Sequence, residues 1–185
     1  QAYQFSRQEQ DAYAVASLER AVKAGKDGSF AAEIAPVKVK TRKGETTIAI
    51  DEQPGKAQFD KIPTLKPAFR EGGTVTAANS SSISDGAAAV TMMRRSQAEK
   101  RGLAPIATII GHSTHASTPG LFPSAPVGAI NRLLDRTGWG AKDVDLWEVN
   151  EAFAVVAMIA MRDLGIPHDK INVHGGACAL GHPIG

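Results

Sequence analysis

The sequence is poor in the residues that most often simplify a functional reading. It holds one cysteine, Cys178, in 185 residues. No intrachain disulfide can form, and cysteine usage lends no support to an oxidising compartment. No apolar run approaches the roughly 20 residues that span a bilayer. There is no signal-peptide pattern, and the first residue is Gln1 rather than methionine. The net charge of +2 is too small to argue for nucleic acid or a membrane surface as a partner. Internal repeats and low-complexity segments are missing. The glycines fit no phosphate-binding template, since neither G-x-G-x-x-G nor Gly-Lys-Ser/Thr occurs. What is present is the composition of an ordinary globular protein, 43% apolar and 22% charged. The length suffices for one or two domains with a sizeable core.

Ser6-Arg7-Gln8-Glu9 has the form of a capping box, and Ala12, Val15, Leu18 and Val22 follow at helical spacing. Gly25 and Gly28 mark the end of that helix. Ile34, Val37 and Val39, then Ile48 and Ile50, alternate with polar residues around Arg42-Lys43-Gly44-Glu45, which predicts a hairpin. Lys38, Lys40, Arg42 and Lys43 make it a basic ribbon, either a solvated edge or a contact for the phosphates of a nucleotide-like ligand. Residues 51–73, with three prolines and Gly72-Gly73, read as an irregular surface connection. The row Ala77-Ala78-Asn79-Ser80-Ser81-Ser82 suits either a narrow polar site or plain loop.

Residues 87–93 and 106–110 are apolar runs expected as buried strands. Ser96 is expected to cap a short helix ending at Gly102. An amphipathic helix is expected from Ala125 to Arg136, with Val127, Ile130, Leu133 and Leu134 on one face. A strand over 145–149, an apolar helix from Glu151 to Leu164 and a strand from Ile171 complete a βαβαβ order, hence a layered α/β domain. That strand feeds Asn172-Val173-His174-Gly175-Gly176-Ala177-Cys178-Ala179-Leu180-Gly181-His182-Pro183-Ile184-Gly185. Glycine permits sharp bends and close approach, and Pro183 stiffens the chain after His182, so the imidazole sits on a rigid turn. A start without methionine and an end inside this turn are those expected of a piece of a longer protein.

Asn150 lies where a strand gives way to a helix, and His182 lies beyond the next strand. Both therefore fall at carboxyl ends of strands, where ligands collect in α/β sheets. An amide can hold a water or an oxyanion, and an imidazole can donate to developing charge or take a proton. Asn150 serves equally well as a helix cap. Cys178, set among Ala177, Ala179 and Leu180, reads as packing rather than as a nucleophile. His112 and His115 form an H-x-x-H without a third ligand, so no metal site is expected.

Asn150-Glu151-Ala152-Phe153 and Gly175-Gly176-Ala177-Cys178-Ala179-Leu180-Gly181-His182-Pro183 closely resemble the NEAF and GGxxxxGHP signatures of thiolases. Asn150 and Gly181 stand 31 residues apart, which suits that family. Gly73-Thr74-Val75-Thr76-Ala77 with Ser84-Asp85-Gly86-Ala87-Ala88 is similar to its GTVTAxNxSxxxDGAA segment, and Ser6-Arg7-Gln8-Glu9-Gln10-Asp11 to its SRxxQD helix start. The resemblance implies a layered α-β-α-β-α fold, incomplete at both ends. Residues 1–83 would be a loop region covering CoA, 84–105 the end of the N-terminal domain and 106–185 the first part of the C-terminal domain.

The resemblance further implies Claisen condensation of two acetyl-CoA to acetoacetyl-CoA and CoA, or thiolysis of a 3-ketoacyl-CoA. His182 would activate a nucleophilic cysteine and donate to the thioester oxygen, and Asn150 would hold a water beside it. Ser81 and Ala77 would meet the pantetheine, Ala152 and Phe153 would line the pocket, and Phe122 would shape its acyl end. CoA would be a substrate and no resident cofactor is expected. The implied partners are acyl-CoA and further copies of the chain, as a dimer or tetramer, with no nucleic acid or membrane. The implied location is the cytoplasm, or the mitochondrial matrix in a eukaryote. The family's two catalytic cysteines match no residue here, so the 185 residues alone are expected to be inactive. The alternative is a non-catalytic CoA-binding or subunit-contact protein on the same fold. A ketoacyl synthase is disfavoured by the Asn150-Glu151-Ala152-Phe153 run.

Overall fold

The computed structural model describes residues 3–42 and 44–184. Gln1, Ala2, Lys43 and Gly185 lie outside the described residues, so Lys43 of the basic ribbon and the last glycine of the motif have no structural account. Helix α1 runs over Arg7–Asp27. The Ser6 hydroxyl accepts the Glu9 N–H at 3.1 Å, and the Glu9 carboxylate accepts the Ser6 N–H at 2.6 Å, closing the capping box. The helix passes through Gly25 and ends at Gly28. Its buried stripe differs from the apolar one that the spacing suggests. Gln10, Asp11, Tyr13, Ala14, Ser17, Leu18, Ala21 and Ala24 are buried, whereas Ala12 is exposed. The stripe is partly polar because α1 faces two buried polar side chains, Asn79 and Glu151.

The hairpin forms as β1 (Val37–Thr41) antiparallel to β2 (Gly44–Ile48), with Val37 opposite Ile48 and Thr41 opposite Gly44. Ile34 and Ile50 lie outside the pairing. Both strands are exposed along their length. Lys38 pairs with Glu45 across it at 3.4 Å. The expected irregular connection contains a short α2 (Glu52–Lys56) and a 3-10 turn (Phe59–Thr64), which bury Pro54 and Ile62.

Two expected strands do not form. Residues 87–93 and 106–110 are exposed and belong to no ladder, with Val90 80% and Ile109 71% accessible. A strand needs a neighbour for its N–H and C=O groups, and β1–β2 is the only named sheet among the described residues. Helix α3 (Arg95–Lys100) starts two residues earlier than a Ser96 cap requires, because Arg94 takes the extended cap position. Helix α4 covers Ala125–Thr137, and its Val127, Ile130 and Leu134 pack on the main core.

That core gathers Tyr13, Trp147, Val149, Val156, Ile166 and Ile171 around helix α5 (Ala154–Leu164). The expected parallel pairing survives as a single bridge between Trp147 and Ile171. At Asn172 the backbone turns away with φ +46°, and the side-chain amide continues the ladder in its place. Its Oδ1 accepts the Val149 N–H and its Nδ2 donates to the Val149 carbonyl, both at 2.8 Å. Helix α5 begins at Ala154 rather than Glu151, since Phe153 is extended and pairs with Ser80.

Two substitutions separate a cap from this buried amide. Ser6→Ala should cost about 1 kcal/mol of unfolding free energy in a denaturant titration, the usual value of an N-cap. Asn172→Ala should cost about 3 kcal/mol or more, because it strands the Val149 N–H and C=O inside the core. Equal losses would contradict the assignment of Asn172 as a surrogate strand.

Candidate active site

One extended segment, residues 79–84, gathers the site. The Ala154 N–H donates to the Asn79 carbonyl at 2.9 Å, and the Ser81 N–H to the Ala152 carbonyl at 3.1 Å. The Ser81 hydroxyl donates to the same carbonyl at 3.1 Å. Beyond these, the His182 N–H donates to the Ser82 carbonyl at 2.8 Å, and the Ser84 N–H to the His182 carbonyl at 3.3 Å. A short run of small polar residues thus stitches the start of α5 to the turn that carries His182. The segment is anchored by the buried Asn79, whose Nδ2 donates to Asp11 Oδ1 of α1 at 2.9 Å and to the Thr74 carbonyl at 3.0 Å. Its Oδ1 accepts the Thr76 N–H at 2.8 Å. Asp11 is held in turn by Arg7 at 2.6 Å.

Asn150 Nδ2 and His182 Nε2 stand 3.0 Å apart. Asn150 is exposed and His182 is half-buried, so both remain open to a ligand. The imidazole arrives on helix α6 (Ala177–Leu180) followed by Gly181, whose φ of +91° is strained for any side chain. A Cβ at Gly181 would also run into the Ser84 hydroxyl. An imidazole and a primary amide in contact can hold one oxygen between their N–H groups, or take a proton at Nε2.

Beneath this pair lies Glu151, fully buried. Its Oε1 accepts from the Tyr13 hydroxyl at 2.9 Å and from Asn172 Nδ2 at 2.8 Å. Its Oε2 accepts from the Ser17 hydroxyl at 2.7 Å and from the Cys178 N–H at 3.1 Å. Gly176 is required by close approach, because a Cβ there would lie 2.6 Å from both carboxylate oxygens. Burial, with the Glu151 charge added, pushes the Tyr13 hydroxyl far above its ordinary pKa. The same two causes push the Cys178 thiol up, so it stays protonated at neutral pH. Its Sγ lies 3.6 Å from the Glu151 carbonyl as a weak donor. These contacts agree with a packing role for Cys178.

The structure brings most of the sequence-derived candidates together. Ser81 and Ala152 are hydrogen-bonded, Asn150 meets His182, and the Phe122 and Phe153 rings lie 6.1 Å apart. Ala77 stands apart from these contacts and lines a cavity of about 320 Å³ with Leu18, Lys61, Leu65 and Ala179. The His115 ring packs against Gly128 of α4, away from this pair. Among the described residues no group of three or more His, Cys, Asp or Glu is placed to hold a metal. Three contributors have a role that the sequence does not assign. Phe69 meets Phe153 edge to face, with ring centroids 6.3 Å apart, from an otherwise irregular loop. Asn79 and Glu151 are buried polar groups whose partners are remote in sequence. The signal for Glu151 was its place in the Asn150-Glu151-Ala152-Phe153 run, at the mouth of an apolar helix.

Cys178 should not react with a disulfide reagent such as DTNB at pH 8 in the folded protein, and should react at the rate of a free thiol in guanidinium. Rapid labelling of the native chain would contradict the packing role.

Comparison with known proteins places these features in a family. The family model described as "Thiolase, N-terminal domain" matches residues 1–96, and that described as "Thiolase, C-terminal domain" matches residues 103–185. A probable acetyl-CoA acetyltransferase of Dictyostelium discoideum is 49% identical over 99% of this chain, which covers 44% of it. The acetyl-CoA acetyltransferase of Paracoccus denitrificans is 45% identical over 99% of the chain, which covers 47% of it. The chain thus spans about half the length of the curated relatives it matches. The crystal structure of the Bacillus anthracis acetyl-CoA acetyltransferase superposes with a TM-score of 0.95 at 38% identity, over 99% of this chain and 47% of that one. Human mitochondrial 3-ketoacyl-CoA thiolase superposes with a TM-score of 0.89, also at 38% identity, over 100% of this chain and 47% of that one. The layered α/β fold expected from the motifs is therefore the fold of this chain, over the part of it that the chain spans. With both domain models matched and the Asn150–His182 pair in place, the chain belongs to the thiolase family.

Proposed function

We propose that these residues form the CoA-covering and oxyanion-stabilising part of a thiolase-type acyltransferase. The reaction is the condensation of two acetyl-CoA to acetoacetyl-CoA and CoA, or thiolysis of a longer 3-ketoacyl-CoA. The observation that carries the reading is the 3.0 Å contact between Asn150 and His182 at an accessible surface. Attack of a cysteine thiolate on a thioester carbonyl moves negative charge onto the oxygen. His182 Nε2 takes the thiol proton, and the resulting N–H then faces that oxygen. A water on the Asn150 amide supplies the second donor. Each such donor lowers the barrier by about 3–4 kcal/mol. Ser81 and Ala77 meet the pantetheine, Ala152 and Phe153 line its channel, and Phe122 closes the acyl end.

In this reading residues 1–83 cover CoA, 84–105 end the N-terminal domain and 106–185 open the C-terminal one. The nucleophilic cysteine comes from outside the 185 residues. Support comes from the half-length match to the relatives and from the exposed apolar residues Val90, Ile106 and Ile109, which await a cover. CoA acts as a substrate, with no resident cofactor, and the enzyme works as a homodimer or homotetramer. Its setting is the cytoplasm or, in a eukaryote, the mitochondrial matrix; no described helix is long and apolar enough to cross a membrane. A second reading, a non-catalytic CoA-binding or subunit-contact protein, is favoured only by the half-buried, protonated state of Cys178.

Thiolysis of acetoacetyl-CoA by the full-length protein carrying this sequence separates the two readings. Turnover is expected. His182→Ala should nearly abolish the acylation burst, and Asn150→Ala should lower kcat by about 10²–10³ with little change in KM. Residues 1–185 alone should show no turnover. A full-length protein without thiolysis, or a His182→Ala variant with a normal burst, overturns the proposal.

A further inference from the structure

Glu151 poses a question that the proposed chemistry leaves unanswered. Its carboxylate is 0% exposed, yet no lysine or arginine pairs with it among the described residues. A desolvated carboxylate is costly unless hydrogen bonds replace its water, and an apolar side chain beside an apolar helix would avoid the cost. The four donors that satisfy it come from three separate stretches of chain. Tyr13 and Ser17 belong to α1, Asn172 follows the strand bridge, and the Cys178 N–H belongs to α6. Two of these links end beside the Asn150–His182 contact. Glu151 is the residue after Asn150, and α6 is the turn that delivers His182. Ser17 reinforces the second link, because its hydroxyl oxygen also accepts the Gly176 N–H at 2.9 Å.

We infer that Glu151 is a positioning residue that sets the separation of Asn150 and His182, by clamping the start of α5, helix α1 and the α6 turn onto one buried carboxylate. Its kinetic consequence rests on the function proposed above; its geometric consequence does not.

The clamp requires a carboxylate rather than an amide. Each oxygen meets one hydroxyl, which can rotate, and one N–H donor, which cannot become an acceptor. A glutamine of the same shape would place its NH₂ against either Asn172 Nδ2 or the Cys178 N–H. One side of the clamp opens, and the site above it shifts.

The test uses Glu151→Gln in the full-length protein, free of ligand, with ¹⁵N-labelled histidine. His182 is assigned by the signals missing from His182→Ala. The expected result is a moved His182 Nε2 resonance, or an altered tautomer ratio, in a protein that still unfolds cooperatively. In thiolysis, kcat should fall about 10- to 100-fold with KM within about twofold, the scale of a small misplacement of reacting groups. An unmoved His182 resonance overturns the inference, as does a kcat loss no larger than the folded fraction lost. If Glu151→Gln does not fold, single-hydroxyl variants decide. Ser17→Ala, which opens the α6 side, should lower kcat more than Tyr13→Phe, which removes a hydroxyl that meets only the other oxygen and Asn172 Nδ2. Equal effects or the reverse order overturn it. A wild-type protein without thiolysis overturns the proposed function alone, and the resonance comparison then decides the role of Glu151.

Discussion

A carboxylate taken out of water must receive hydrogen bonds in exchange, and the Glu151 carboxylate receives four. That requirement dictates much of what surrounds it. Helix α1 must turn Tyr13 and Ser17 inward, so its buried stripe is polar in the middle. The α6 turn must present the Cys178 N–H and must carry glycine at position 176, where a Cβ would strike the carboxylate. The Asn172 side chain must complete the strand that its backbone abandons. Each element then stands where the Asn150–His182 pair needs it.

A second buried amide works in parallel. Asn79 ties the 74–79 turn to Asp11 of α1, and the segment that follows runs as an extended strip across the start of α5 and the His182 turn. The site is therefore assembled from loops, yet it is not loose. Several loop backbone groups that bear on it, those of Thr76, Ser81, His182 and Cys178 among them, are paired with a buried side-chain amide or carboxylate, or with another loop. Such networks rigidify a site when every member is satisfied. The accessible side chains above them, Asn150 and His182, are left free to meet a ligand.

Part of the fold was legible in the sequence because local chemistry decides it. The Ser6–Glu9 box starts α1 as its residues dictate, and Gly28 ends it. The alternation around Gly44 forms a hairpin, and the apolar spacing of α4 and α5 forms helices that pack on one core. The runs at 87–93 and 106–110 were misread as strands for a definable reason. Their composition records a tendency to be buried, whereas a strand also requires a partner edge. None of the described residues offers one.

The site divides along the same line. Asn150 and His182 are legible because short motifs mark them, and Cys178 because its apolar neighbours already disfavour a thiolate. These belong to the sequence: capping, turn chemistry, periodicity and the motif residues act within a few positions along the chain. Glu151, Asn79 and Asn172 belong to the tertiary structure. Tyr13 and Glu151 are 138 positions apart, and Asp11 and Asn79 are 68 apart. Only packing brings such partners within hydrogen-bond reach, and only their removal from water makes the pairing matter. The residue types were readable from the chain; which of them would be desolvated, and against whom, was decided by the fold.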